Sequence, residues 1–285
     1  MLRSITFKGE KMTLMGLGRE EGTPAPDFKV IDAELREVTL SQFEGKNKVL
    51  TSFPSLDTPV CEMQVKEFNK KAAGLSQEIV ILAISKDLPF AQKRFCQAHD
   101  IRDIHVLSDY RFSSFGMNYG LLIKELNLLA RSILLVDKNN VLRSVQIVGE
   151  LTHPPDYETA LANLEKMLKN PGLPKEQMAG GRHCVPCEQG TPPLDEEKIQ
   201  NRLADLNGWT AEGNKKLTKI FMGKEFTDIR ELVDQIAFLA EDQGHHPALS
   251  WHYNKLKITL TTHASGGVTE NDLIMARLIN ELTAS

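Results

Sequence analysis

The chain has 285 residues, with 34 Lys and Arg against 38 Asp and Glu and a formal net charge of −4. That length can bury more than one core, and the nearly balanced charge gives no electrostatic footprint for nucleic acid or an anionic membrane surface. The apolar runs fall short of the roughly 18 residues a spanning helix requires, and residues 1–8 lack the apolar centre of a secretory signal, so a cytoplasmic chain without nucleic-acid or membrane partners is expected. Residues 5–9 and 12–16 alternate as a small hairpin, and Phe28-Lys29-Val30-Ile31 continues the β pattern after Pro26. A further strand, Lys48-Val49-Leu50-Thr51-Ser52-Phe53, breaks at Pro54. Beyond it a helix is expected from Pro59 to about residue 75, because apolar residues recur at helical spacing through Val60, Met63 and Phe68.

Thr58 and Pro59 mark the start of that helix, the first as N-cap and the second at the first helical position, where a missing N–H costs nothing. Cys61 therefore falls in the first turn, where unpaired N–H groups and the positive end of the helix dipole favour a thiolate, the nucleophilic form of cysteine. A free cysteine is most often a small buried hydrophobe. Such a residue has no need of a Thr hydroxyl and a Pro just upstream. The pattern continues with an apolar strand over residues 79–84, a helix over 89–99 that carries Cys96, a strand at 105–107, strands at 132–136 and 141–148 about a polar turn, and an amphipathic helix over 156–168. Four cysteines in a cytosolic chain point to redox or metal chemistry rather than to structural staples.

The segment Pro54-Ser55-Leu56-Asp57-Thr58-Pro59-Val60-Cys61, with Ile84-Ser85-Lys86-Asp87-Leu88-Pro89-Phe90-Ala91-Gln92 and Cys96, resembles the peroxiredoxins, and within them the thiol peroxidases, atypical two-cysteine enzymes. The resemblance spans about residues 5–168. It implies an α/β thioredoxin-like fold and a catalytic cycle in which Cys61 attacks peroxide and Cys96 resolves the sulfenic acid as an intramolecular disulfide. It also implies that Thr58 hydrogen-bonds the sulfur, that Pro54 screens it from water, and that Arg131, in Leu129-Ala130-Arg131-Ser132-Ile133, supplies the cation. Taken from residues alone, Arg131 reads as a solvated charge at a strand start. A thioredoxin-like dithiol is the implied reductant and a homodimer or higher homo-oligomer the implied assembly; the rival, a disulfide oxidoreductase, would use a CxxC that Cys61 lacks.

Residues 169–193 change texture to Pro, Gly and polar residues and read as a linker between domains at 1–168 and 194–285. The linker holds His183-Cys184-Val185-Pro186-Cys187. Three potential ligands are one short of a closed zinc site. The motif reads either as a mobile dithiol without a role or as a tethered relay to the Cys61 and Cys96 pair. After the linker come a helix over 194–206, a strand over 216–226, a helix over 228–241, a hairpin of 249–253 and 256–262 turning at Asn254-Lys255, and a closing helix over 271–282 after Thr269. Helices set apart from an antiparallel sheet make an α+β domain with the helices on one face.

Histidines gather here, His245 and His246 at a helix end and His263 at a strand end. By position they complement a helix dipole; adjacent histidines seldom aim at one ion, so neither a metal nor a cofactor is expected. The series Glu241-Asp242-Gln243-Gly244-His245-His246-Pro247, then Trp251 to His263, then Asp272 resembles pterin-4a-carbinolamine dehydratase. That resemblance implies His245 and His263 as acid and base, His246 binding or orienting a pterin, Pro247 fixing the turn, and Glu241 and Asp272 as pterin-contacting or supporting carboxylates. Imidazoles suit both proton transfers near neutral pH. The alternative is a non-catalytic dimerisation or protein-binding module.

Overall fold

The apolar run ending at Ser52 is an interior strand of a seven-stranded mixed sheet. In the computed structural model, which describes residues 4–72, 78–169, 184 and 192–283, the chain divides into two compact units, Met1–Met178 and Ala179–Ser285. In the first, strands β5 (Asn47–Ser52), β6 (Ile79–Ser85) and β7 (His105–Ser108) run parallel, with helices α1 (Pro59–Ala72) and α2 (Pro89–Ala98) as the crossovers. All six residues of β5 are buried, the mark of a strand covered on both faces. Strands β10 (Ser132–Val136) and β11 (Leu142–Ile147) extend the sheet antiparallel on one side, and β3 (Lys29–Ile31) and β4 (Glu37–Thr39) on the other, giving the order β11-β10-β5-β6-β7-β3-β4. Helix α4 (Tyr157–Lys169) packs its Ala160, Leu164 and Met167 into the core that includes Val49, Ile133 and Leu135. A smaller sheet joins β1 (Ser4–Phe7), β2 (Glu10–Met15), β8 (Leu122–Ile123) and β9 (Leu128–Leu129), and a short helix α3 (Ser114–Asn118) comes just before β8.

The register of β10 on β5 decides where the site forms. Ser132 pairs with Ser52, so Arg131 enters its strand opposite the point where β5 ends and the chain turns into α1. Ligand and active sites of open α/β sheets collect at such carboxyl ends.

The second unit is a four-stranded antiparallel sheet in the order β12-β13-β15-β14, from β12 (Thr210–Glu212), β13 (Lys216–Met222), β14 (Ala248–His252) and β15 (Lys255–Leu260). Leu256, Ile258 and Leu260 alternate inward on β15 and are fully buried. Helices α5 (Glu196–Leu203), α6 (Phe226–Gln243) and α7 (Glu270–Thr283) accompany the sheet.

Three of the boundaries that differ from the sequence expectation have a local physical cause. The strand expected to reach Phe226 stops at Met222, because Glu225 and Asp228 form a reciprocal capping box that makes Phe226 the first residue of α6. The hairpin turns at Tyr253-Asn254 rather than Asn254-Lys255: His252 pairs with Lys255, and Tyr253 takes a left-handed φ of 47°. The helix expected over 194–206 contracts to α5, whose N-cap Asp195 accepts a hydrogen bond from the Lys198 amide.

Candidate functional site

Thr58 stands at the head of α1, and its carbonyl accepts from the amides of Cys61 and Glu62 at 3.1 and 3.0 Å. Its hydroxyl does not bond the helix amides as an N-cap side chain would. It donates instead to Cys61 Sγ at 2.8 Å and lies 3.2 Å from the Ser55 carbonyl. Cys61 is fully buried among Phe53, Leu56, Val65 and Phe68, and Pro54 is buried as well. Arg131 approaches from β10's leading end and is also buried, at 2% exposure, which excludes the reading as a solvated strand-start charge. Its Nη2 donates to Cys61 Sγ at 3.4 Å and to the Leu151 carbonyl at 3.1 Å, and its Nη1 donates to Gln64 Oε1 at 2.6 Å. Its Nε is buried without a partner among the described residues.

Gln64 was not singled out from the sequence. It lies three positions after Cys61 on the same face of α1, is wholly buried, and donates through Nε2 to Thr51 Oγ1 at 2.6 Å and to the Ser52 carbonyl at 3.2 Å. It thereby fixes the guanidinium against the sulfur. A polar residue on the inward face of an amphipathic helix was the signal available.

Cys96 lies on α2, partly exposed, and packs against the same core. Both cysteines are free thiols. Burial pushes the Cys96 thiol up to about 11. The two sulfurs therefore have different surroundings: one faces a hydroxyl and a guanidinium, the other an apolar setting that keeps it protonated.

In the second unit His245 follows the left-handed Gly244 that closes α6. Its Nε2 lies 2.8 Å from Asp272 Oδ1. Asp272 is fully buried, and its other oxygen accepts from Thr262 Oγ1 at 2.8 Å, the Thr269 amide at 2.8 Å and Thr269 Oγ1 at 3.3 Å. Thr262 immediately precedes His263, which is exposed in a 3-10 turn, His263–Ser265. One carboxylate thus holds His245 directly and, through Thr262, the residue before His263, which lies beyond the end of β15 at Leu260 rather than at the strand end expected from the sequence. The bond from the Thr269 amide to Asp272 is also the returning half of a capping box at the start of α7. His246 pairs with Glu241 at 3.0 Å on the surface, where such a contact contributes little. Both residues, with Pro247, Ile236, Phe238 and Leu249, line an apolar cavity of about 310 Å³.

Cys184 is tied within this unit: its amide donates to Gln243 Oε1 at 2.9 Å and its thiol lies 3.6 Å from the Asn271 carbonyl. His183 and Cys187 lie outside the described residues. Among the described residues no three His, Cys, Asp or Glu side chains converge as a metal ion would require, and no helix is long and apolar enough to cross a membrane.

Comparison with known proteins divides the chain in the same way. Residues 20–161 match the Redoxin family model and residues 192–282 the model for pterin 4 alpha carbinolamine dehydratase. A thiol peroxidase of Oceanobacillus iheyensis is 43% identical over 165 residues, covering 58% of this chain and all of the relative. The crystal structure of a peroxiredoxin-like protein from Aquifex aeolicus aligns with a TM-score of 0.54 and 37% identity, over 58% of this chain and 98% of the other. A structure of a transcriptional coactivator/pterin dehydratase from Brucella melitensis is 36% identical over 32% of this chain and 97% of its own, with a TM-score of 0.31. The chain belongs to the thiol peroxidase family through its first domain, which has the thioredoxin-like peroxiredoxin fold, and carries as its second a domain of the pterin 4 alpha carbinolamine dehydratase family.

Proposed function

We propose that the chain is a bifunctional enzyme, a thiol-dependent peroxidase working through Cys61 and Cys96 and a dehydratase acting on a 4a-hydroxytetrahydropterin through His245 and His263. The observation that carries the first activity is the Cys61 sulfur bracketed by the Thr58 hydroxyl and the Arg131 guanidinium. An anionic sulfur is stabilised by both, and the unpartnered Arg131 Nε is a spare donor for a peroxide oxygen. Cys61 thiolate attacks hydrogen peroxide or an alkyl hydroperoxide: the S–O bond forms, the O–O bond breaks, and the leaving hydroxide or alkoxide takes up a proton. The sulfenic acid then condenses with the Cys96 thiol, forming a disulfide and releasing water. A thioredoxin-like dithiol, becoming a disulfide itself, returns both cysteines to thiols. Such a cycle belongs in a reducing cytoplasmic compartment.

The second activity rests on the Asp272–His245 pair, the arrangement of a carboxylate that fixes an imidazole's tautomer and orientation for proton transfer. Dehydration expels the 4a-hydroxyl as water, with one proton delivered to the leaving oxygen and one removed from a ring nitrogen, to give the quinonoid dihydropterin. With His245 Nε2 engaged by Asp272, its Nδ1 is left to face substrate. His263 takes the other proton, and His246, Pro247 and Glu241 contact the pterin at the apolar cavity they line. Exposed apolar residues of this domain, Met222, Leu249 and Tyr253, support assembly as a homodimer or larger homo-oligomer.

The test is to assay one purified sample for thioredoxin-dependent peroxide consumption and for carbinolamine dehydration. Absence of the first rejects the peroxidase. Absence of the second, with the first intact, leaves a peroxidase fused to a dimerisation module.

A further inference from the structure

Asp87 precedes the N-cap residue of α2, a place where a carboxylate ordinarily serves the helix's unpaired amides. It does not do so here. Leu88 caps α2 without any side-chain hydrogen bond, and the Asp87 carboxylate is turned towards the loop that leads to Cys61. Its Oδ1 accepts from Ser55 Oγ at 2.6 Å, and its Oδ2 accepts from the Leu56 amide and Ser85 Oγ, both at 2.8 Å. The Ser55 carbonyl in turn lies at 3.2 Å from the Thr58 hydroxyl that donates to Cys61 Sγ. On the other side, Ser85 Oγ accepts from Gln92 Nε2 at 3.0 Å. Gln92 is nearly fully buried on α2, four residues before Cys96 and so on the same helical face.

We infer that Asp87 is a positioning residue of the peroxidase reaction, coupling the turn that sets Thr58 against Cys61 to the helix that carries Cys96. The inference rests on the assignment of Cys61 and Cys96 as the reacting pair. A path of hydrogen bonds and covalent links runs from the Cys61 sulfur through Thr58, whose amide donates to the Ser55 carbonyl at 3.2 Å, and on through Ser55, Asp87 and Ser85 to Gln92. Both cysteines are free and sit on different helices, Cys61 wholly buried, and the role of Asp87 is to govern how α1 and α2 move as the two sulfurs meet. While the path is intact, Asp87 holds the Ser55-Leu56 turn in its reactive form and holds α2 docked. Oxidation of Cys61 replaces the sulfur acceptor of Thr58, disturbs the Ser55 carbonyl, and loosens α2 through the same carboxylate. Asp87 therefore speeds the peroxide step and restrains the condensation step.

Opposite effects on two steps distinguish this role from a contribution to folding alone. In Asp87→Ala the three donors lose their acceptor. Oxidation of Cys61, followed by rapid quench and peptide mass spectrometry in a Cys96→Ser background, should slow about 10- to 100-fold, the effect of a small misplacement of reacting groups. Condensation, followed with Cys96 present and peroxide in excess so that oxidation does not limit it, should accelerate severalfold. Asp87→Asn should restore both rates most of the way, since its amide oxygen can accept from Leu56 and Ser85 while its NH2 donates to Ser55; if the alanine variant fails to fold, Ser55→Ala, which removes the Oδ1 donor alone, takes its place with the same pair of opposite effects expected. Oxidation at the wild-type rate, or condensation that is unchanged or slower, overturns the inference. Wild-type protein that oxidises no cysteine under peroxide sinks the peroxidase assignment itself, and this inference with it.

Discussion

Replacing Arg131 by Met is the sharpest test of the first site, because the guanidinium is the one charge in contact with the reacting sulfur among the described residues. At roughly 4 Å and an effective dielectric of about 20 two unit charges interact by about 4 kcal/mol, an upper bound before desolvation is counted. Arg131 Nη2 stands 3.4 Å from Cys61 Sγ, at the long end for such a contact, so the net value of a hydrogen bond to a charged group, about 1.5–3 kcal/mol, is the better guide. At 1.36 kcal/mol per decade that is a loss of roughly 10- to 150-fold in the second-order rate of Cys61 oxidation. Met fills similar volume but leaves Gln64 Oε1 and the Leu151 carbonyl without their donor, at about 1–3 kcal/mol each. A lowered melting temperature should accompany the slower rate. Arg131→Lys keeps the charge but not the fork that spans Gln64, Leu151 and the sulfur, and should fall between Met and wild type. The assay is stopped-flow or rapid-quench oxidation of the reduced protein by hydrogen peroxide, read at the Cys61 peptide. Arg131→Met that remains folded at the assay temperature and oxidises at the wild-type rate would refute the argument.

Cys61→Ser should abolish peroxide reduction, whereas Cys96→Ser should complete one turnover and then over-oxidise to the sulfinic acid, visible as a 32 Da gain on the peptide (about two oxygens on the ladder from thiol); sustained thioredoxin-dependent turnover by Cys61→Ser would reject the assignment. His245→Ala and His263→Ala should each lower dehydratase turnover by about two to four orders of magnitude, the usual contribution of a positioned acid or base, with peroxide reduction unchanged; wild-type dehydration by both variants would make them structural histidines. The condensation step should quicken with rising pH, because burial raises the Cys96 pKa to about 11 and the thiolate is the attacking form. If α2 unwinds to deliver Cys96, the burial is lifted and the rise centres near the ordinary cysteine value of about 8.5; a midpoint near 11 would show the thiol reacting from within the folded helix.

How far the sequence carried these conclusions depended on the range of the interactions concerned. The turn before Cys61 was legible because Pro54, Thr58 and Pro59 act within a few residues, and helix starts obey local rules. The local rule put Thr58 at the head of α1, but the direction of its hydroxyl, to the sulfur rather than to the amides, came only from the family resemblance. Arg131 could not be placed from residues alone. Its burial follows from the pairing of Ser132 with Ser52, and strand register across 80 positions leaves no periodic trace. The same holds for Asp87, whose partners Ser55 and Leu56 are more than 30 positions away. Segments such as Leu122–Ile123 and Leu128–Leu129 are two residues long, too short to express a period of two. At Phe226 an apolar residue fitted the strand pattern and the capping box before it prevailed, since two satisfied helix amides outweigh one more ladder position.

Both domains solve one physical problem in the same manner. A reacting side chain has to be accessible to substrate and yet held in one geometry, and the ends of secondary-structure elements supply access at the cost of order. Cys61 lies in the first turn of α1 and His245 just past the last turn of α6, so neither is braced by its own helix alone. Each is fixed by a polar group from a different stretch of chain: Arg131, itself held by Gln64, at the sulfur, and Asp272 at the imidazole. These braces are buried and themselves hydrogen-bonded, Gln64 to the β5 backbone and Asp272 to Thr262 and Thr269. A buried acceptor with several donors cannot rotate away without leaving them unpaired, at about 1–3 kcal/mol for each. The precision of each site thus comes from the polar network behind it, while the reacting groups themselves lie at the ends of helices. In the first domain that network reaches the resolving helix through Asp87, so the device that fixes the reactive geometry is the one through which the later rearrangement has to pass.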